Sequence, residues 1–211
     1  MRYPKMNGKD EFLFLGNHLA LDFINTRPVQ NGKTTELLPD FEALLRWFVA
    51  AGLLSPGDMA RFRRKWGPSV RARRTVEAVR ELREKLRKQV IAWERGEAVQ
   101  RSSVRQLNRL MAQHPMRNKL KSGRNASMEQ WFELQQPEDL HAPLAYSAAT
   151  LFTYADRRRV RKCAQCVGHF HDTSKKGTRR WCSMRLCGNR LKVAAYAARR
   201  RGKAPHPATN P

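Results

Sequence analysis

The chain has 211 residues and carries 42 lysines and arginines against 18 aspartates and glutamates, a formal charge of +24 at pH 7. A hydrophobic content of 41% and five tryptophans exclude a disordered polybasic tail, and the length suffices for one or two domains. No apolar run approaches the roughly 20 residues of a membrane helix, and the N-terminal residues lack a signal-peptide core. We therefore expect a soluble, cytoplasmic protein with an anionic partner and no membrane association.

The first part of the chain predicts short helices. The apolar run Phe12 to Leu15 is compatible with a strand, and residues 19–24 then place apolar side chains on one helical face. Pro39 and Asp40 are start signals for a second helix, which Gly52 ends. Together these patterns indicate a helical packing unit at the N-terminal end.

Helical periodicity continues through the middle of the chain. Ser55 and Pro56 begin a short helix that runs to about Trp66. Residues 76–93 then form an apolar stripe along the longest helix, whose other face carries Glu and Lys at i,i+4 spacing and is expected to be solvated. A shorter amphipathic helix follows over residues 103–111.

The end of the helical part is less regular. Residues 116–136 lack a helical period and predict a loose hairpin or loop, after which Pro137 starts a further helix. We place a helical domain at residues 1–155, a small basic module at residues 156–203 and a Pro-rich, disordered tail at residues 204–211.

The basic module contains every cysteine of the chain. Residues 156–203 hold 16 lysines and arginines against two acids, together with Cys163, Cys166, Cys182 and Cys187 in a C-x2-C, C-x4-C pattern. Two thiolates on a tight turn can converge on one ion at about 2.3 Å, and a second pair closes a tetrahedral shell. Disulfides are disfavoured in a cytosolic protein. The spacing therefore predicts one structural Zn²⁺ held by the four cysteines.

The sequence around the cysteines indicates how the module meets a partner. His169 and His171 lie between the pairs and are expected in a hairpin rather than at the metal. The residues after Cys187 predict a helix with one small-residue face and one basic face, which suits docking to DNA. The alternative is a solvated helix end whose cations complement the macrodipole. We assign phosphate contacts to Arg179, Arg180, Arg185, Arg190, Lys192, Arg199 and Arg200, and base or sugar contacts more weakly to Asn189 and Tyr196.

Several segments resemble a known bacterial family. The string WCSMRLCGNRLK (Trp181 to Lys192) resembles the CGNR zinc finger, and LALDFINT (Leu19 to Thr26), DFEALLRWFVAAGLL and APLAYSAATLF resemble the ABATE domain that precedes this finger. The resemblance covers nearly the whole chain. It implies a stress-related bacterial transcription regulator that binds DNA. The implied fold is mainly α, with a helical N-terminal domain followed by a treble-clef or zinc-ribbon-like module of a β-hairpin and a C-terminal helix.

Other interpretations stay open at this point. Asp22, Asn25 and Thr26 form a polar set that either caps a helix and satisfies buried backbone groups, which we favour, or lines a small-molecule effector pocket. RNA or ribosome association, or a ligand-sensing or protein-interaction scaffold with a purely structural zinc, are alternatives to DNA binding. No Gly-rich phosphate loop, nucleophile triad or paired acids occur, so we expect no enzyme.

Overall fold

The computed structural model describes residues 12–30, 33–189, 193 and 196, and helices dominate them. The predicted fold class is therefore confirmed. The helices are α1 (Leu19–Ile24), α2 (Phe41–Ala50), α3 (Pro56–Trp66), α4 (Val70–Glu94), α5 (Arg101–Gln113) and α6 (His141–Tyr154). The strands form three antiparallel hairpins, β1–β2 (Val29–Gln30 and Lys33–Thr34), β3–β4 (Arg117–Lys121 and Ser127–Trp131) and β5–β6 (Val160–Lys162 and His169–His171). Short 3-10 turns cover Pro137–Leu140 and Arg157–Arg159, and a π-helical turn covers Met184–Gly188.

Local caps explain where the helices begin and end. Asp40, Ser55 and Ser69 each accept a hydrogen bond from a backbone amide in the first turn of α2, α3 and α4, respectively. Gly52 follows α2 with a φ of 72°, a left-handed conformation that glycine adopts without strain. The boundaries predicted from Asp40 and Gly52 are confirmed.

Other sequence predictions differ from the structure. No strand occurs in residues 12–18; instead Phe12 and Phe14 are buried in the core while Leu13 is half exposed. The β1–β2 hairpin was not predicted. Residues 116–136, predicted as a loose hairpin or loop, contain the hairpin β3–β4, whose strands are exposed along their whole length.

The short helix α1 lies at the centre of the molecule. All six of its residues are buried, and it contacts α4, α6 and β6. The ring of Trp47 on α2 packs beside it against Phe14, Phe23 and Phe48, with centroid distances of 5.5–6.0 Å. Because α1 touches both the helical core and β6, the residues at its C-terminal end face the cysteine module.

The longest helix, α4, shows both the strength and the limit of the periodicity argument. Its apolar stripe is buried as predicted, and Arg83, which lies on the same face four residues after Val79, is only 1% exposed. Glu84 forms ion pairs with Arg27, Arg83 and Arg87. Among the described helices, including this one of 25 residues, none is long and apolar enough to cross a membrane.

The end of α6 at Tyr154 is followed by the 3-10 turn Arg157–Arg159, from which β5 continues. The domain boundary at residues 155 and 156 stays a prediction. The tail at residues 204–211 lies outside the described residues, as does most of the helix predicted after Cys187, of which residues 189, 193 and 196 are described and helical.

Candidate metal centre and the surface around it

The four cysteines converge on one point. Their sulfur atoms all lie within 4.8 Å of one another, and all four thiols are free. The Sγ atoms of Cys166 and Cys182 are 3.7 Å apart, and those of Cys182 and Cys187 are 3.6 Å apart. Ligands at about 2.3 Å from a tetrahedral zinc are about 3.8 Å from each other. The cluster therefore has the dimensions of a site for one zinc ion.

The first cysteine pair lies on the tight turn of the β5–β6 hairpin. The amide of Cys163 donates to the carbonyl of Gly168 at 2.8 Å, and the amide of Val167 donates to the carbonyl of Cys163 at 3.1 Å. Val167 has a φ of 53°, a left-handed conformation that costs a β-branched residue energy. This turn folds Cys166 back towards Cys163, as the two-residue spacing predicted.

The second pair is separated by a wider turn. The amides of Cys187 and Gly188 both donate to the carbonyl of Ser183, at 3.0 and 2.9 Å, which closes a π-helical turn. A Cβ atom on Gly188 would lie 2.5 Å from Sδ of Met184 and 3.0 Å from Nε1 of Trp181. A side chain at this position would have to displace Met184 and press on Trp181, whereas glycine fits without rearrangement.

The electrostatics of the cluster show why it suits a cation. Hydrogen bonding from Cys182 and the other thiols lowers the pKa of Cys166 to about 5. Burial and the charge of Cys166 raise the pKa of Cys187 to about 12, and the hydrogen bond to Cys166 and burial raise the pKa of Cys182. The Cys166 thiolate thus forms readily, whereas Cys182 and Cys187 resist ionisation. A divalent cation would supply the positive charge that favours the thiolate form at each position.

A small apolar core covers the metal centre. Phe170 is fully buried against the cysteines, with Trp181, Leu186 and Leu15 packed around it. His169 and His171 lie on β6 as predicted, and Nδ1 of His169 is 2.6 Å from a carboxylate oxygen of Glu94 rather than at the sulfur cluster. We expect a module with so small a core to depend on bound metal for its stability.

Asn25 joins this module to the helical domain. At the C-terminal end of α1, its Oδ1 accepts from the amide of His169 at 2.9 Å and its Nδ2 donates to the His169 carbonyl at 2.8 Å. Asn17 donates to the carbonyl of His171 at 2.9 Å, and the His171 amide donates to the carbonyl of Gly16 at 2.7 Å. The side chains of Asn17 and Asn25 thus hydrogen-bond to the backbone of β6.

The other two members of the polar set have contacts of a structural kind. Oδ1 of Asp22 accepts from the amide of Gly16 at 2.7 Å, Oδ2 has no hydrogen-bond partner among the described residues, and burial raises the pKa of this carboxyl well above its usual value. Thr26 donates to the carbonyl of Phe23 and accepts from Arg83 at 3.0 Å. Asn25, but neither Asp22 nor Thr26, lines a cavity beside the metal centre. The structural role favoured for this set stays a prediction, as does its alternative, an effector pocket.

Replacing Asn25 with alanine should loosen the contact between α1 and β6. Both backbone groups of His169 would lose their side-chain partner, which costs about 1–3 kcal/mol for part-buried groups. We expect the His169 amide to exchange with deuterium about 10 to 100 times faster, with zinc retained. Asn118→Ala, which removes a single exposed hydrogen bond on the β3–β4 hairpin, is the control. An equal exchange rate of the His169 amide in both variants would show that Asn25 does not hold α1 against β6.

The residues predicted to contact nucleic acid differ in their exposure to solvent. Arg180, Arg185 and Asn189 are exposed, and so is Tyr196. Arg179 is half-buried and donates to the carbonyl of Cys182 at 3.2 Å, so part of its guanidinium is used within the module. The remaining predicted contacts lie outside the described residues; they are Arg190, Lys192, Arg199 and Arg200.

Further cations of the module divide into two groups. Arg159 donates to the carbonyls of Asp172 and Ser174, and Arg161 donates to the carbonyl of Gly177. These two arginines therefore hold the loop after β6 in place. The sequence did not distinguish them from surface cations, because both groups come from the same basic runs. The exposed group comprises Arg157, Arg158, Lys162, Lys175 and Lys176.

Two family models match the chain in succession. Residues 17–155 match the ABATE model, described as "Putative stress-induced transcription regulator", and residues 159–200 match the CGNR zinc finger. Both resemblances noted in the sequence are confirmed, in the same order. No curated protein matches the sequence.

Proposed function

This chain belongs to the ABATE family, and we propose that it is a zinc-containing transcription regulator that binds DNA through the cationic surface of its C-terminal finger. The observation that carries the proposal is a set of exposed cations around the cysteine cluster, which we call the basic rim. A surface of this kind attracts the phosphate backbone and releases its counterions. The basic rim comprises Arg157, Arg158, Lys162, Lys175, Lys176, Arg180 and Arg185.

The acids of the module neutralise little of this charge. In residues 156–189 the acids are Asp156 and Asp172. Asp172 is fully buried and accepts from the amides of Ser174 and Arg179, at 2.9 and 2.8 Å. Asp156 caps the 3-10 turn and contacts Arg158 at 3.3 Å. Most of the basic rim is therefore available for phosphates.

The metal centre gives this charged surface a rigid shape. Arg180 and Arg185 flank Cys182, and the carbonyl of Arg180 accepts from the amide of Ala164 in the first cysteine turn at 2.9 Å. Asn189 is exposed directly after the π-helical turn, where the predicted docking helix begins. Cations held in a fixed arrangement lose less conformational entropy when they bind a duplex.

Salt dependence is the sharpest test of this proposal. If the finger neutralises about six phosphates, log K for duplex DNA should fall with log salt at a slope near −5, measured by fluorescence anisotropy. The double variant Arg180→Ala, Arg185→Ala should reduce the slope by about 2. The control is Arg74→Ala, Lys88→Ala, which removes the same charge from exposed positions of α4 and should leave the slope unchanged. Absence of duplex binding at low salt would overturn the proposal.

Competition identifies the kind of nucleic acid. Duplex DNA should displace a labelled duplex from the zinc-loaded protein at lower concentration than a structured RNA of equal length. Stronger competition by the RNA would favour the alternative of RNA association. Under the scaffold alternative, Arg190→Ala, Lys192→Ala should leave function in cells intact, and loss of function with unchanged stability and zinc content would rule that alternative out.

A further inference from the structure

A cavity of about 330 Å³ lies between the helical domain and the zinc module, a volume within the range of small-molecule sites. Its walls come from both parts of the chain and are mostly apolar. Val167, with its left-handed backbone, is in the wall, and such strain is typical of functional positions. The apolar walls are formed by Leu13, Leu15, Val29 and Leu37 from the helical domain and by Val167 and Leu186 from the module.

The polar end of the cavity contains the guanidinium of Arg87, whose Nε exposes no surface to a ligand. Arg87 reaches the wall from α4, and its Nη2 donates to the carbonyls of Ile24 and Arg27. Its Nε is fully buried and has no hydrogen-bond partner among the described residues. The carboxylate of Glu84 is 3.7 Å from this nitrogen. Burial lowers the pKa of Arg87, so its surroundings leave the charge poorly solvated.

The charges around this end of the cavity do not balance. Glu84 is shared, because Nη1 of Arg27 lies 3.6 Å from it and Nε of Arg83 donates to it at 3.1 Å. Arg27 and Arg87 both line the cavity, whereas Glu84 does not. Asn25, also in the wall, is already paired with the backbone of His169. Cys166, Cys182 and Cys187 also line the cavity and would carry negative charge as zinc ligands, so the positive charge of the wall is confined to the end formed by Arg27 and Arg87.

We propose that this cavity binds an amphipathic monocarboxylate, with its carboxylate at Arg87 and Arg27 and its alkyl or aryl body against the apolar walls. A guanidinium pairs with a carboxylate through charge-assisted hydrogen bonds. One net charge at the polar end matches a monoanion, and the apolar walls disfavour a strongly hydrated dianion such as phosphate. The site is independent of DNA binding, which can fail without affecting it.

The position of the cavity makes such a ligand an effector of the zinc module. The ligand touches Val167 and Leu186, each next to a cysteine, as well as Leu15 and Leu37 of the helical domain. A ligand that binds only when the two parts are docked shifts the docking equilibrium about 100-fold at a concentration of 100 Kd. Binding of the ligand in the cavity thereby changes how the basic rim is oriented relative to the helical domain.

Calorimetric titration of the zinc-loaded, full-length protein tests the proposal with decanoate, 2-naphthoate and the uncharged decanamide. We expect at least one acid to bind saturably with one site per chain, and decanamide to bind at least about tenfold more weakly than decanoate. Arg87→Gln should weaken binding of the acid by about 10- to 100-fold. Arg80→Gln is the matched control, because Arg80 donates to the carbonyl of Leu38 from the same helix without lining the cavity.

A second variant tests the cavity without removing charge. Leu13 is half exposed, so Leu13→Trp can fill the cavity while the fold is kept, and it should abolish binding. Leu120→Trp, on the exposed β3–β4 hairpin, should have no effect. The proposal is overturned by failure of both acids to bind, by equal affinity for decanoate and decanamide, by equal losses in the Arg87 and Arg80 variants, or by unchanged binding in Leu13→Trp.

Discussion

Replacing Cys182 with serine should abolish stoichiometric zinc binding and unfold the C-terminal module while the helical domain stays folded. Cys182 is central to the cluster, with Sγ distances of 3.7 Å to Cys166 and 3.6 Å to Cys187. Structural zinc sites in small modules contribute about 10–16 kcal/mol of apparent binding free energy, which the core around Phe170 is too small to replace. Elemental analysis should find about one zinc per chain in the wild type and little in the variant.

The unfolding itself needs a separate measurement. Amides of the β5–β6 hairpin should lose protection from hydrogen exchange, whereas those of α4 and α6 should keep it. Thr173→Ala, an exposed change in the same module, is the control and should retain the metal. A Cys182→Ser protein that holds one zinc with unchanged affinity would show that the ligand set is wrong.

Replacing Arg83 with alanine should strongly destabilise the helical domain. The side chain of Arg83 is almost completely buried and forms two hydrogen bonds to Glu36, one to Glu84 at 3.1 Å and one to Thr26 at 3.0 Å. Burial opposes the charge, but the carboxylates of Glu36 and Glu84 together more than offset this, so the pKa of Arg83 lies above its ordinary value. Removing one partner of such a network leaves polar groups unpaired and costs about 3–5 kcal/mol when both are buried.

The exposure of the two glutamates reduces the expected cost. Their side chains are 29% and 35% exposed, so water can replace part of the lost interaction and we expect about 2–4 kcal/mol. The free energies of unfolding of Arg83→Ala and Arg83→Lys, measured by urea denaturation, separate two contributions. Lysine keeps the positive charge but cannot form the bidentate hydrogen bonds of the guanidinium. Arg74→Ala, at an exposed position on the same helix, should change the free energy of unfolding by less than about 0.5 kcal/mol. A cost for Arg83→Ala no greater than for Arg74→Ala would rule out the network as a stabilising element.

Features that depend on near neighbours were predictable from the sequence. The start of α2 at Asp40 and its end near Gly52 follow from a capping side chain and a left-handed glycine. The metal centre follows from the spacing of Cys163 and Cys166, because a two-residue gap and a tight turn bring these sulfurs together. The apolar run Phe12 to Leu15, compatible with a strand, is not one in the structure, because a short apolar run fits either a strand or a buried coil.

The sequence by itself thus determined the helical domain, the four-cysteine cluster and the family, since each is a local pattern of spacing and capping. The tertiary structure alone decided what the polar residues do. Arg83 lies 57 positions from Thr26, and Asn25 lies 144 positions from His169, so nothing in the local sequence indicates that these groups meet. The cavity at Arg87 is likewise formed by two parts of the chain that are distant in sequence. From sequence alone, a charged side chain on a helix is expected to be exposed to solvent. Whether the fold buries it against a partner is decided by the packing of the whole chain and not by the residue itself.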